Sequence, residues 1–273
     1  MYLTLPDVRV LAKTNPSSTA FMDLRATEAA RDGRTTRHVQ RWVAYSRISP
    51  SLKRAVLVAE DSAFWEHEGI DLEQIRASIQ AGWEQGREIR GASTITQQLA
   101  KNLYLSPSRD PFRKLRELIV ARRLEAALPK TRIFEIYLNV IEWGDGIWGA
   151  EAAARRYFGI PASAVNREQA ALLAGAIINP RLLSPARPTP RLLRRQRIIL
   201  GRMGQVSLPV PERKVYAAPS PDSAAAVESG TTPPVADEDS LVEPEEPPDA
   251  APASDAPTEP DPSVDPAASA PPV

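Results

Sequence analysis

The sequence predicts a mainly α-helical protein: one globular domain followed by a long acidic tail. Apolar residues return at i, i+3, i+4 and i+7 in stretch after stretch, the period of a one-sided helix. Those stretches open on Ser, Thr, Asp or Asn followed by Pro or by a Gln three residues on, which are helix start signals. No segment sustains the period-2 alternation of a half-buried strand.

The elements follow in chain order. Residues 1–45 are polar and interrupted by Pro6, Pro16 and Gly33, and read as an irregular, membrane-proximal segment. Ser49-Pro50 opens a helix with Leu52, Ala55, Val56 and Ala59 on one face, ending at Glu60-Asp61. A second helix is expected after Asp71, with Leu72, Ile75, Ile79 and Trp83 inward, and residues 84–92 form a loop. Ser93 or Thr94 starts a third helix through Leu99 and Asn102. Asp110-Pro111 opens a long one through Leu115, Ile119 and Leu128. Thr131 begins another, with Ile133, Ile136, Tyr137 and Val140 inward. Gly144, Gly146 and Gly149 interrupt the chain and read as close helix–helix contact; no strand precedes them, as a phosphate loop would need. Ala150–Phe158 is closed by Gly159, and Asn166 with Gln169 caps an apolar helix reaching Ile178. Thr189-Pro190 starts the last helix. The domain boundaries expected are 1–45, 46–205 and 206–273.

Charge sets the tail apart. The chain has 34 Lys+Arg and 34 Asp+Glu. After Lys214 there are thirteen acids and no base, so the body carries +13. Residues 219–273 hold 14 of the 27 prolines and no Phe, Trp, Tyr, Ile or Met. Such a composition buries too little apolar surface to offset chain entropy, so the acidic Pro/Ala-rich tail is expected to be disordered. All five Trp and all five Phe lie in the body.

Several classes are excluded. Without cysteine there is no disulfide framework and no thiolate metal or redox site. Two His do not make a His-rich metal centre. The longest apolar run, Ala170–Ile178, has nine residues if Gly175 is counted, against roughly 20 for a membrane span. Met1–Ala20 lacks the basic start and apolar stretch of a signal peptide. There is no internal repeat.

Three places have the residues for chemistry. Glu60 and Asp61 close an apolar helix beside Phe64, Trp65 and His67. A carboxylate among rings is poorly solvated, which raises its pKa and makes it a better base near neutrality; the alternative is a helix end with two solvated acids and His67 as a brace for the turn. In GASTITQQLAKN, residues 91–102, seven of twelve side chains can hydrogen-bond. Gln97/Lys101 and Gln98/Asn102 are i,i+4 pairs, a row of amides and one ammonium that suits a sugar and a phosphate, or else a solvated face. Arg113, Lys114, Arg116 and Glu117 share one helix, as a surface salt bridge or as cations around an anionic leaving group.

Five blocks in order now match one family. EDSAFWEHEGID, RGASTITQQLAKNLYL, RKLRE, IFEIYLNVIEWGDGIWGAEAAARRYFG and AALLAGAIINP together resemble the motifs of the peptidoglycan glycosyltransferases of family 51. The monofunctional biosynthetic transglycosylases are the most similar subgroup. The resemblance covers roughly residues 48–185, and NPSSTAFM and QRWVAYSRIS extend it. It implies a lysozyme-like helical fold and polymerisation of lipid II into β-1,4 glycan, with inversion and release of undecaprenyl diphosphate. Glu60 matches the catalytic base and Glu117 the second essential carboxylate. Lys101, Arg113 and Lys114 match contacts to the pyrophosphate, and Ser93, Thr94, Gln97, Gln98 and Asn102 the donor-site lining. Asp61, Phe64 and His67 fall in the first motif and are carried as substrate-binding. The leaving pyrophosphate is stabilised by Lys101, Arg113 and Lys114 or by a divalent cation, Mg or Mn, with no other cofactor implied; Glu117 is the candidate ligand of that ion or else orders the basic side chains.

The implied partners are lipid II and the nascent glycan, an anionic membrane surface and cell-wall synthesis proteins, with no nucleic acid. The family normally has an N-terminal membrane helix and this sequence shows none. The expected place is the periplasmic, outer face of the cytoplasmic membrane, bound peripherally or anchored by a helix missing from this sequence. Residues 83–90 are the candidate for dipping into the interface. Two rivals remain: a lysozyme-like murein hydrolase or lytic transglycosylase, which needs no pyrophosphate site, and a non-catalytic scaffold of the wall-synthesis complex, which would have no need of Glu60 and Glu117.

Overall fold

The computed structural model describes residues 5–35, 37–71, 73, 76, 80, 93–105 and 112–209. All belong to the first of two compact units, Met1–Glu212. The acidic tail, loop 83–90 and, apart from helical Glu73, Arg76 and Gln80, the helix expected after Asp71 lie outside the described residues.

Eight α-helices with described bounds and one small sheet build the domain, in keeping with the mainly α class: α1 Ala20–Arg31, α2 Pro50–Glu60, α3 Ile95–Tyr104, α4 Phe112–Ala127, α5 Lys130–Val140, α6 Ala150–Phe158, α7 Arg167–Ala176 and α8 Pro190–Arg202. The capping logic holds at Ser49, Thr94, Asn166 and Thr189, but α5 starts at Lys130 behind Pro129 with no side-chain cap, and not at Thr131. Ser49 Oγ accepts from the Leu52 amide at 3.0 Å, ahead of Pro50 at the first helical position. Thr94 caps α3, Asn166 and Gln169 form a reciprocal capping box on α7, and Thr189 caps α8. Each cap satisfies an amide that the helix leaves without a carbonyl.

α5 is central: Ile133, Phe134, Ile136, Tyr137, Leu138, Asn139 and Val140 are all buried, the pattern of a helix packed on every side. α2 packs against α7 and α8, and α3 against α1, α4 and α5. The C-terminal end of α2 and the N-terminal half of α3 thus face the end of α5, where the site forms.

Two expectations are corrected. Residues 1–45 are not irregular throughout. They contain a 3-10 turn at Val8–Ala12, helix α1 and strand β1 at Val39–Gln40. α1 buries only Met22 and Ala29, so its apolar period is faint; its readable signal is the Thr19 cap and twelve residues free of Gly and Pro. Val8, Leu11, Met22 and Val43 join the core of the domain. The glycine set, in turn, builds a hairpin and not a helix–helix contact. β2 (Glu142–Gly144) pairs antiparallel with β3 (Ile147–Trp148), and β3 pairs parallel with β1. At Gly146, φ is +68° and a Cβ would collide with the Arg37 carbonyl. At Gly149, φ is +84° and a Cβ would stand 2.7 Å from the Asn139 carbonyl oxygen. Both positions need a residue without a side chain.

Asn139 ties the N-terminal segment to α5. Its Nδ2 donates to the Val43 and Glu135 carbonyls at 2.9 and 2.8 Å, and its Oδ1 accepts from the Val43 amide at 2.8 Å. Replacing this buried amide leaves the Val43 N–H and carbonyl dry and unpaired, at about 1–3 kcal/mol each where water cannot reach, while the Glu135 carbonyl keeps its helical partner within α5. Asn139→Ala is expected to lower stability by about 3 kcal/mol in urea unfolding; a loss below about 1 kcal/mol would show that the knot is not holding the segment.

Candidate active site

Between these helices runs a groove of about 560 Å³. α2 supplies Glu60 from its last turn. α3 supplies Gln98, Lys101 and Asn102, preceded by Ser93, and α4 faces them with Arg113, Lys114 and Glu117. Tyr137 of α5 forms part of the floor. α3 can do this because its sides differ: Ile95, Leu99, Ala100 and Leu103 are buried in the core, while the i,i+3 and i,i+4 spacing of 98, 101 and 102 sets their side chains along the groove.

Glu60 is partly buried. Its Oε2 accepts from Gln98 Nε2 at 3.0 Å, and the Gln98 Oε1 accepts from the Tyr137 hydroxyl at 3.0 Å. Burial holds the Glu60 carboxyl above the usual carboxylate range; the Gln98 hydrogen bond and the Arg195 charge oppose that rise, and neighbouring Asp61 adds to it. A carboxyl poised this way accepts a proton more readily than an exposed glutamate at neutral pH.

Across the groove Glu117 is 5% exposed and accepts from Lys114 Nζ at 2.5 Å. The same ammonium donates to Gln97 Oε1 at 3.1 Å and to Ser93 Oγ at 3.4 Å. Burial lowers the Lys101 ammonium, as do Arg113 and Lys114, while Glu117 raises it. Lys101 Nζ also stands 5.5 Å from the centre of the Phe21 ring. Five cations, Arg25, Lys101, Arg113, Lys114 and Arg181, line the groove against three carboxyls, Glu60, Glu117 and Glu142, leaving a net positive pocket suited to an anion.

Eight of the thirteen residues expected at the site line this groove: Glu60, Ser93, Gln98, Lys101, Asn102, Arg113, Lys114 and Glu117. The other five, carried as substrate-binding, do not line it and have partners inside the fold. Asp61 is 1% exposed; its Oδ2 accepts from the Ile95 amide at 2.9 Å and its Oδ1 lies 3.0 Å from His67 Nε2. It fastens the start of α3 to the end of α2, which sets the separation of Gln98 from Glu60. His67 thus braces Asp61, one residue beyond the brace expected. Phe64 is fully buried, its ring 5.5 Å from that of Phe134. Thr94 donates to the Gly69 carbonyl at 2.7 Å, and Gln97 Nε2 donates to the same oxygen at 3.3 Å. A motif residue next to a reacting group is as easily a support for it as a contact.

The groove also uses Phe21 and Arg25 of α1 and Arg181, which sequence patterns passed over, together with Glu142. Arg25 Nε donates to Glu142 Oε2 at 3.0 Å and its Nη1 to Glu28 at 2.7 Å; Arg181 lies 3.5 Å from the same Glu28. Burial holds the Glu142 carboxyl above its usual range, and Arg25 opposes that. The partners are 117 residues apart in sequence, which no local pattern reveals.

The expected divalent cation finds a poor donor set at Glu117. That carboxylate is already held by Lys114 and stands among cations, which repel a divalent ion. Among the described residues, the His/acid group with ligand atoms within 4.8 Å of one another is Asp61, His67 and Asp71, and Glu117 is not in it. No helix among the described residues is long and apolar enough to cross a membrane.

Comparison with known proteins gives the family. The family model described as Transglycosylase matches residues 4–204. A biosynthetic peptidoglycan transglycosylase of Nitrosospira multiformis is 52% identical over 196 residues, covering 71% of this chain and 85% of the relative. Proteins with the same name from Laribacter hongkongensis and Methylobacillus flagellatus are each 49% identical over 195 residues, covering 71% of this chain and 86% and 85% of theirs.

Proposed function

The chain belongs to the transglycosylase family, and from that membership we propose that it is a peptidoglycan glycosyltransferase that polymerises lipid II into β-1,4-linked glycan. The observation that carries this reading is one groove holding a half-buried carboxyl with a raised pKa, Glu60, and a facing set of cations, Lys101, Arg113 and Lys114. A hydrolase needs the first and has no use for the second.

The chemistry follows from those two parts. The donor is a glycan chain whose terminal sugar C1 carries undecaprenyl pyrophosphate in α linkage; the acceptor is the 4-hydroxyl of an incoming lipid II. Glu60 takes the hydroxyl proton as its oxygen forms the bond to C1. The bond from C1 to the pyrophosphate oxygen breaks on the opposite face, so the configuration inverts to β. The electron pair leaves with the pyrophosphate, and Lys101, Arg113 and Lys114 balance the charge that develops on it. Ser93, Gln98 and Asn102 bind the sugar and phosphate edges. The reaction belongs at the outer face of the cytoplasmic membrane, where lipid-linked donor and acceptor meet, and the +13 body suits an anionic lipid surface.

Incubation of the purified protein with lipid II tests this directly. The expected product is a glycan polymer that a muramidase digests, with undecaprenyl diphosphate released. Cleavage fragments from finished murein, with no polymer from lipid II, would replace the reading with a lytic enzyme. Binding of lipid II with no turnover would make the protein a scaffold.

A further inference from the structure

We propose that Tyr137 is a positioning residue for the base: acting through the Gln98 amide, it fixes which oxygen of Glu60 is engaged and keeps that carboxyl ready to accept a proton. The proposal rests on the reading of Glu60 as the base.

The geometry is a chain of two hydrogen bonds from a helix that otherwise serves the core. Tyr137 is fully buried in α5, and its hydroxyl donates to Gln98 Oε1 at 3.0 Å. The Gln98 amide then has its Nε2 toward Glu60 Oε2, also at 3.0 Å. A glutamine amide can turn over, exchanging oxygen for nitrogen with little change of shape. Turned over here, it would set an amide oxygen against the Glu60 carboxylate and leave the buried phenol hydrogen with no acceptor. The second loss falls on a fully buried phenol, where an unpaired polar group is costly. The tyrosine therefore holds the amide in one orientation. Asn102 Nδ2, which donates to the Gln98 backbone carbonyl at 2.8 Å, stiffens the same turn.

The consequence for Glu60 is twofold. Oε2 is occupied by a donor, so Oε1 is the oxygen left for the acceptor hydroxyl. The fixed N–H also favours the ionised carboxylate, the form that can act as a base. Besides burial, the groups acting on Glu60 are Asp61 at its own helix end, Arg195 of α8 and the Gln98 amide of α3; Tyr137 of α5 acts through that amide. Burial holds the Tyr137 phenol well above its ordinary range, so the donor stays protonated wherever the enzyme works.

Tyr137→Phe removes one oxygen from a packed ring. The expected result is about a 10-fold lower kcat, the scale of a lost supporting hydrogen bond behind a reacting group, with KM within about twofold. The acid limb of the pH profile moves to higher pH, because the carboxylate loses part of its support. In a Gln98→Met background, where there is no amide to orient, Tyr137→Phe adds no further loss, since the two act in series. A carbon-13 NMR titration of the Glu60 carboxyl, assigned with Glu60→Gln, reads the same upward shift without turnover. Wild-type protein inactive on lipid II would remove the assigned reaction and leave the NMR result to stand alone. Active wild type with an unchanged acid limb and an unshifted Glu60 titration in Tyr137→Phe would overturn this proposal and leave the reaction untouched.

Discussion

Glu60→Gln is expected to reduce glycan polymerisation by at least about 10³-fold, within the range a well-placed general base contributes, while the protein becomes more stable. The first effect follows from the proposed role: the amide keeps the shape and can still accept from Gln98, but it cannot take a proton. The second follows from burial. The Glu60 carboxyl is held above its ordinary range in the folded state, so the folded protein binds that proton more tightly than the unfolded chain. Stability contributed at low pH is then lost as pH rises from the unfolded pKa through the folded one, and at neutral pH the charged group is a burden on the fold. Removing the charge removes the burden, the usual exchange of stability for function at an active site. Melting curves of wild type and variant between pH 4 and 8 should therefore converge at the acid end and separate as pH rises, with the variant higher. Retained activity would take Glu60 out of the mechanism. Full loss of activity with a lower melting temperature would mean that Glu60 is needed for folding and that its burial is compensated elsewhere in the groove.

The separate roles of Glu60 and Asp61 explain what the sequence could and could not disclose. Caps, stripes and stop signals made α2, α3, α7 and α8 legible because each depends on residues three or four apart. The acid and the amide row were legible for a related reason: polar side chains at helical spacing beside a core face must have somewhere to go. Adjacent acids, however, look alike in one dimension. Glu60 enters the groove, while Asp61 turns back to hold the Ile95 amide, and that choice is made by the chain leaving α2 with Asp61 at φ −166° and ψ 84°. The same holds for Gln97 and Gln98, one buried against Gly69 and Lys114 and the other on Glu60. α1 and its Arg25 were hidden for a different reason. A helix that buries two side chains has almost no period, and its value to the site comes from a pairing with Glu142 that spans more than half the domain.

The second large effect is expected at Glu117. Its carboxylate is buried, but Lys114, which it holds, is about half exposed, so Glu117→Gln leaves no buried charge stranded and the protein should fold. What changes is the cation set. Lys114 loses its anchor at 2.5 Å and keeps only the weaker holds of Gln97 and Ser93. Lys101 loses Glu117, which raises its pKa, while Arg113 and Lys114, which lower it, remain. Since Lys101 then gives up its proton at a lower pH, the alkaline limb of the activity profile moves toward neutrality. Charge on the departing diphosphate grows as the bond to C1 breaks, so these cations act more strongly on the transition state than on bound substrate. The loss is therefore expected in kcat, about 10²–10³-fold by analogy with removing one preorganised group from a charge-stabilising site, with a small change in KM. Glu117→Asp, which keeps the charge but shortens its reach to Lys114, should restore the alkaline limb more fully than it restores kcat. That split separates the two things a carboxylate does here: it sets the potential around Lys101 from a distance, and it positions Lys114 by contact. An unmoved alkaline limb with wild-type kcat in Glu117→Gln would leave the cations independent of Glu117, and the pair would then be no more than a salt bridge at the groove's edge.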